Sequence, residues 1–390
     1  MNDKTLIAIA LDYPLPLRGG VSVIGESLIK YLSPEFNILL ISPDESKALQ
    51  NHPCFSRLSG HIQFDHTSLT HSRAREFAEM LAQRKVQLVH FHGGGSLAWG
   101  NRRGIKSPMP FLRRAKIPCV YSAHQIASLL VGYCAQERSL LYKLALLPVV
   151  WSACTYALSH ASNILTDSKH DADQFKRQYP LLAGKIGFVY HSRLDANETA
   201  APGADGREKT ILSVGHVAIR KGQHILAEAF AKIAPQYPDW KLVIAGPVLE
   251  ADCGRQIEKF RARFPKQIFL PGSDSAPQRL MKQASIFVQP SLLEAFGLAL
   301  QEAMFFGCAC IGTATGGIPE LITHDQTGLL CPSGNADALA GAITDLIQQP
   351  EKRRQFGNAA HASIIQKGMT GQAMAANYEG IYRRALQAHD

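Results

Sequence analysis

Two carboxylates, Glu294 and Glu302, bracket the stretch SLLEAFGLALQEAMFFG at residues 291–307, with seven mostly apolar residues between them. On a helix, eight positions amount to about 12 Å of rise and about 80° of rotation, so the two groups cannot share one proton or one metal ion. They suit two parts of one long ligand. Glu302 lies among Ala299, Ala303, Met304, Phe305 and Phe306, where an ionised carboxylate is costly unless hydroxyls or a cation meet it. Taken singly, each glutamate is better explained by a structural salt bridge.

Other segments shift that balance. In HVAIRKGQHILAEAFA, Arg220, Lys221 and Gly222 stand at the start of a helical pattern. Adjacent cations at a helix N-terminus are unfavourable unless an anion binds there. The strand-like run ASIFVQP precedes the glutamate stretch, so a helix opening at Phe296 or Gly297 would aim its first N–H groups, with the positive end of its dipole, at a ligand; that is a phosphate seat. Gly19 and Gly20 follow the first strand-like run. Alone they are a turn, but a glycine pair also permits close backbone approach to a ligand. Together these features point to a diphosphate. The first turn lacks GxGxxG, which argues against a nicotinamide dehydrogenase. Asp171-Ala172-Asp173 spells a metal-type acidic triplet, yet acidic residues in the first turn of a helix are explained by its dipole.

The elements that must position these residues are short apolar runs separated by helix-like segments. TLIAIALD, FNILLIS, VQLVHFH, PCVYSAH, NILTDS and IGFVYHS are the first set; TILSVGH, WKLVIAG, QIFLPG, ASIFVQP and CACIGT follow NETAAPGADGREKT at 197–210. Such alternation predicts parallel sheets wrapped by helices. The fold class is therefore α/β, with Rossmann-like doubly wound domains over 1–200 and 201–368. Ligands of such sheets bind outside the carboxyl ends of the strands, so one cleft between the two domains is expected.

Composition bounds the rest. The 390 residues are 46% hydrophobic and 19% charged, enough for about two cores. TLIAIAL reads as a buried strand rather than a signal sequence, so a cytoplasmic protein is expected. Eight cysteines without CxxC pairs read as reduced core thiols. The net charge of +9 is uneven: residues 1–200 hold 22 Lys+Arg against 15 Asp+Glu, and residues 201–390 hold 19 against 17. The excess concentrates at Arg102, Arg103, Lys106, Arg113, Arg114 and Lys116, beside Pro and Gly. That loop is either simply solvated or faces an anionic partner, whether phospholipid, lipid pyrophosphate or nucleic acid. LALLPVVWSACTYAL at 144–158 is uncharged but short and contains Pro148; it predicts a core helix rather than a membrane span. With the basic cluster it would also suit a peripheral position on an anionic inner leaflet, each basic side chain adding about 1 kcal/mol.

With these residues in view, the chain resembles the retaining family-four glycosyltransferases of the GT-B fold over nearly its full length. EAFGLALQEAM matches that family's E-x7-E motif, and GGIPELI at 316–322 and TGLLCP at 327–332 follow in the expected order. YSAHQ resembles the strand that ends in a histidine at the sugar site, giving His124 that place. The resemblance implies that a last helix over about 369–390 returns to the first domain. It also implies that Glu302 bonds the nucleotide ribose, that Glu294 faces the hydroxyls of the transferred sugar, and that the backbone of Phe296, Gly297 and Leu298 reaches the sugar or distal phosphate. Arg220 and Lys221 would neutralise the leaving diphosphate, with Gly19 and Gly20 closing on it and His124 beside the reacting face of the sugar.

Two positions depart from the family wording. His216 stands where an arginine is usual, so either Arg220 supplies that charge or the leaving group is less stabilised. His191 stands where an asparagine is usual. The resemblance thus implies a retaining hexosyltransferase that needs no metal or other cofactor. Its donor would be a nucleotide sugar, UDP being favoured by family frequency, and its acceptor a saccharide or lipid-linked saccharide of surface polysaccharide or glycolipid synthesis, not nucleic acid. The alternatives are a nucleotide-sugar epimerase or hydrolase of the same fold, distinguished by whether an acceptor is glycosylated, and a non-catalytic binding protein, which would have lost these charges.

Overall fold

The computed structural model describes residues 4–15, 20–93, 99, 106–124, 140–198, 206–274 and 276–388, with only the backbone over 140–146. The chain divides into two compact units, one of residues 1–193 with 371–390 and the other of 194–370.

The first unit holds a seven-stranded sheet in the order β3-β2-β1-β4-β5-β6-β7. Its strands are β1 (Thr5–Leu11), β2 (Phe36–Ser42), β3 (Leu58–Gln63), β4 (Leu88–Gly93), β5 (Cys119–Ala123), β6 (Asn163–Thr166) and β7 (Ile186–Phe188). Every pairing is parallel. The second unit holds a six-stranded parallel sheet in the order β10-β9-β8-β11-β12-β13. These are β8 (Glu208–Val214), β9 (Lys241–Ala245), β10 (Ile268–Gly272), β11 (Ala284–Gln289), β12 (Ala309–Thr313) and β13 (Leu329–Cys331). In both sheets the order reverses beside the first strand, at β1/β4 and β8/β11. At such a switch point neighbouring loops diverge and leave room for a ligand.

Helices cover both faces of these sheets, so the central strands are apolar on every residue rather than on alternate ones. Residues Ile7 to Leu11 and Ile286 to Val288 are all fully buried. β4 is the exception. Its sequence is LVHFHG, and His90 and His92 are fully buried within it. Two imidazoles in a sheet interior require partners, and helix Gly371–Gln387 supplies one in Tyr382.

Several expectations shift in detail. Helix Leu298–Phe305 begins after Gly297, whose φ of 105° makes it a left-handed N-cap, so neither Phe296 nor Gly297 opens the helix. Glu294 lies in the loop after the strand, as the strand-then-helix reading expects, so helical spacing does not govern its separation from Glu302. Arg220 and Lys221 occupy a short 3₁₀ turn, Ile219–Lys221, that precedes Gly222 and helix Gln223–Ile233 rather than starting the helix itself. Gly20 is the first residue of helix Gly20–Tyr31, while Gly19 lies outside the described residues.

Arg113 and Arg114 sit not in an irregular loop but in the last turn of helix Met109–Arg114, where the dipole favours cations; Arg102 and Arg103 lie outside the described residues. Helix Leu140–Ser159 carries Pro148 inside it and is not wholly core: Cys154, Ala157 and Leu158 are buried, but Val149 and Tyr156 are exposed. Among the described residues no helix is long and apolar enough to cross a membrane. Seven cysteines are free and buried, and the eighth, Cys134, lies outside the described residues.

Candidate functional site

In the second unit, the loops after β8 and β11 meet at the switch point. The backbone N–H groups of Leu292 and Leu293 both donate to the Arg220 carbonyl, at 2.8 and 3.1 Å. Gly222 makes this approach possible, because a Cβ there would lie 2.0 Å from the Pro290 carbonyl oxygen. Its φ of 70° also belongs to the left-handed region, so glycine is demanded twice over.

The pinned loops bring Lys221 and Glu294 together, with Nζ 2.6 Å from Oε2. Gln289 Nε2 and Ser291 Oγ donate to the same oxygen at 3.1 and 3.0 Å. Oε2 therefore receives three donors while Oε1 receives none of them. Glu294 is further fixed from behind by Gly316, where a Cβ would lie 1.6 Å from the Glu294 carbonyl oxygen. Thr313 Oγ1 donates to the Ser291 carbonyl at 2.6 Å and holds the start of the same loop. The result is a partly buried carboxylate in a fixed orientation, beside an ammonium group and ahead of a helix N-terminus.

Glu302 lies within the following helix and is nearly buried, as are Phe296 and Gln301. Arg220 is exposed and has no ion pair among the described residues. His216 does not substitute for an arginine. Burial lowers its basicity, and Lys221 and Arg220 lower it further, so the ring is held neutral; its carbonyl accepts from Gln223 Nε2 at 3.0 Å. Arg220 and Lys221 are thus the cations of this loop.

The first unit presents a second cluster, which lines the carboxyl ends of four adjacent strands. His92 is on β4, His124 directly follows β5, Asp167 directly follows β6, and His191 stands beyond β7. His92 Nδ1 and His124 Nε2 are 2.8 Å apart. Nδ1 of His124 and Nδ1 of His191 approach Asp167 Oδ1 at 3.2 and 3.0 Å. On its other nitrogen, His191 meets the Tyr378 hydroxyl at 2.6 Å. Tyr378 is bonded to Ser122 Oγ at 2.9 Å, Ser122 to His90 Nε2 at 2.8 Å, and His90 Nδ1 to the Tyr382 hydroxyl at 2.6 Å.

Burial lowers the basicity of His90, His92 and His191, and neighbouring rings add to the effect. Asp167 moves the other way from an isolated buried acid. Burial would raise it, but His191 and His124 outweigh burial and hold its carboxyl well below the usual range.

Sequence reasoning singles out Glu294, Glu302, Lys221 and His124, but not Gln289, Ser291 and Gly316, which the structure sets around the first, nor Asp167 and Tyr378 near the last. TDS and YHS at strand ends were the available signal, since polar residues there face a ligand edge. Asp171 is buried in the first turn of helix Lys169–Gln178, whereas Asp173 is half-buried and pairs with Lys176 at 3.7 Å. Among the described residues the side chains grouped closely enough to hold a metal ion are His124, Asp167 and His191.

Comparison with known proteins places this geometry. Residues 18–192 match the family model described as Glycosyltransferase Family 4, and residues 195–363 the one described as Glycosyl transferases group 1. The chain is 31% identical to N-acetyl-alpha-D-glucosaminyl L-malate synthase of Bacillus anthracis over 47% of its own length, and that match spans 48% of the relative. A crystal structure of a glycosyltransferase from Rickettsia africae shares the fold at a TM-score of 0.75, with 18% identity and 99% of each chain covered. Anabaena HepE, crystallised in complex with UDP, shares it at 0.74, with 16% identity, covering 97% of this chain and 100% of that one.

Proposed function

Since the chain belongs to the family-four glycosyltransferases and has their GT-B architecture, we propose that it transfers a hexose, with retention, from a UDP-sugar to a saccharide or lipid-linked saccharide. The observation that carries this reading is the Lys221–Glu294 pair, fixed at the switch point of the second sheet ahead of a helix N-terminus. The complex of HepE with UDP supports the choice of nucleotide.

In this reading the diphosphate lies against Lys221, Arg220 and the first N–H groups of helix Leu298–Phe305. Breaking the bond between the anomeric carbon and phosphate builds negative charge on the leaving group. Preorganised cations and amides aimed at that charge supply the largest stabilisation. The phosphate oxygens draw Lys221 toward them, and Glu294, already held by Gln289 and Ser291, turns its remaining acceptor capacity to the sugar hydroxyls. Glu302 accepts from the ribose. Of the first unit's residues, His124 is assigned to the sugar and Gly20 to the diphosphate. No step in this scheme needs a divalent ion, since side chains and helix N–H groups meet the developing charge.

A surface of the first unit supports a position on the cytoplasmic face of a membrane. Helix Leu140–Ser159 packs against both helix Met109–Arg114 and the 3₁₀ segment Pro180–Lys185. Exposed Val149, Tyr156 and Leu181 there accompany Arg113, Arg114 and Lys116. Apolar tips beside cations suit anionic lipid.

The decisive experiment is a screen of UDP-, GDP- and ADP-sugars for nucleotide release, in EDTA and in added magnesium or manganese. Release from one UDP-sugar, undiminished by EDTA and stimulated by a saccharide acceptor, is expected. Release without any acceptor product would favour a hydrolase, and inversion of the sugar alone an epimerase.

A further inference from the structure

The histidine row in the first unit has a definite hydrogen-bond polarity. With His90 neutral and Nδ1 of His191 turned to the Asp167 carboxylate, one arrangement of donors satisfies each hydrogen bond between Tyr382 and His191. Tyr382 donates to His90 Nδ1, and His90 Nε2–H donates to Ser122. Ser122 donates to Tyr378, and Tyr378 donates to His191 Nε2. Nδ1 of His191 then faces Asp167 Oδ1 at 3.0 Å, an ion-pair approach in which the two atoms do not complete a well-aligned hydrogen bond. From the other side His92 Nδ1–H donates to His124 Nε2, and His124 Nδ1–H points to the same carboxylate. Two chains of donors converge on one anion.

That polarity has a consequence for His124. Its Nε2 is bonded to His92 and its Nδ1 faces the Asp167 carboxylate, so the ring offers a sugar its edge and shape rather than a base. What matters is how firmly the ring is held. The geometry points to Asp167, His191 and Tyr378 as positioning residues that fix the tautomer and orientation of His124, and so place the sugar-facing ring under the control of the C-terminal helix. The inference rests on the proposed place of His124 beside the sugar. It also gives His191 a task that an asparagine would not perform, since the imidazole bridges Asp167 on one nitrogen and Tyr378 on the other, 187 residues away in sequence.

A metal ion is the competing occupant, because His124, Asp167 and His191 present their ligand atoms within 4.8 Å of one another. The donor arrangement instead turns both Nδ1 atoms toward the same carboxylate, and it also accounts for the bond between His92 and His124 and for the four contacts that extend from His191 to Tyr382.

The test uses the full chain labelled with 15N-histidine, together with Asp167→Asn, Tyr378→Phe and His124→Ala. Ring-nitrogen spectra should show His124 protonated at Nδ1, a signal assigned by its loss in His124→Ala and altered in Asp167→Asn. With the accepted donor and acceptor, Asp167→Asn should lower kcat by about 100-fold, as expected of a misplaced reacting geometry, while donor KM stays within about two-fold. Tyr378→Phe, which removes one hydroxyl and keeps the packing, should lower kcat less, by about three- to ten-fold, without a matching loss of thermal stability. Wild-type kcat in His124→Ala would remove the reading of His124 itself. An impaired His124→Ala beside unimpaired Asp167→Asn and Tyr378→Phe would overturn the positioning inference alone. Stoichiometric zinc in the purified protein, lost in Asp167→Asn, would overturn it in favour of a metal centre.

Discussion

Lys221 Nζ lies 2.6 Å from Glu294 Oε2, and this contact ties the loop after β8 to the loop after β11. The pair is mostly shielded from water, so its two halves have different fates when separated. Removing the cation leaves a carboxylate that Gln289 and Ser291 alone must satisfy. Stability and activity therefore respond to different combinations of substitutions.

Lys221→Ala should lower both. The loss of leaving-group stabilisation is expected to reduce kcat by about 10²- to 10³-fold, read from nucleotide release. Thermal denaturation should show a lower Tm because a shielded carboxylate has lost its counter-charge. Adding Glu294→Gln should restore much of the stability and none of the activity. Activity that returned with stability would reduce the pair to a structural role.

Glu302→Ala should act on binding. A charge-assisted hydrogen bond contributes about 1.5 to 3 kcal/mol, which is about 10- to 100-fold in affinity. Calorimetry with the accepted UDP-sugar should show that loss for Glu302→Ala. Unchanged donor affinity would sink the ribose assignment.

Gly222→Ala and Gly316→Ala probe the close approaches behind the pair. Each adds a Cβ against a carbonyl oxygen at a positive φ, and each should cost roughly 2 to 4 kcal/mol in strain and displaced backbone. Gly341→Ala, where a Cβ meets nothing within 4 Å, is the control on an exposed helix face and should be neutral or mildly stabilising. Chemical denaturation of the three variants decides the matter; equal stability would mean that the loops are not pinned as described.

How far the sequence reveals this architecture depends on how local each feature is. The two sheets are legible because parallel strands covered on both faces read as continuous apolar runs, as in TLIAIAL and ASIFVQ. The E-x7-E spacing is legible because Glu294 and Glu302 lie on one short stretch. The helix start is misread because Gly297 resembles any helix-opening glycine until its positive φ identifies it as the cap. The histidine row is opaque for another reason. His90, His92, His124, Asp167, His191 and Tyr378 come from five separated segments, and a buried His-Phe-His in a strand carries no mark of its partners until the C-terminal helix is placed against it.

Acid should weaken the fold in a definite window. His90, His92 and His191 are held below the ordinary histidine value of 6.5 when folded. The unfolded chain therefore binds more protons as pH falls through 6.5, and stability falls with it, by about 1.4 kcal/mol per pH unit for each ring kept neutral. Asp167 acts in a lower window: its depressed folded value contributes stability above the ordinary carboxylate range, lost as pH falls below it. The half-buried His61, His216 and His224 shift in the same sense as the buried rings. Thermal melts should show a steady fall in Tm from pH 7.5 to 5.5. A flat profile would mean that the row is already protonated in the native protein.

Membrane association is expected from the surface of the first unit and should be separable from donor binding. Lys106, Arg113, Arg114 and Lys116 have no ion pair among the described residues, and Val149, Tyr156 and Leu181 expose apolar surface on the neighbouring helix and turn. The protein should sediment with liposomes containing phosphatidylglycerol at low salt and be released as salt rises, since exposed charges are screened within about 8 to 10 Å near physiological ionic strength. Arg113→Glu with Arg114→Glu should reduce sedimentation at every salt concentration. Val149→Ser with Leu181→Ser should leave the salt dependence in place but weaken binding, because the apolar contribution is not screened. Donor affinity should be unchanged in both double variants, as the proposed donor contacts are concentrated in the second unit. Equal recovery of the wild-type protein in the supernatant with neutral and anionic liposomes at low salt would remove the membrane proposal and leave the basic cluster to a soluble anionic acceptor.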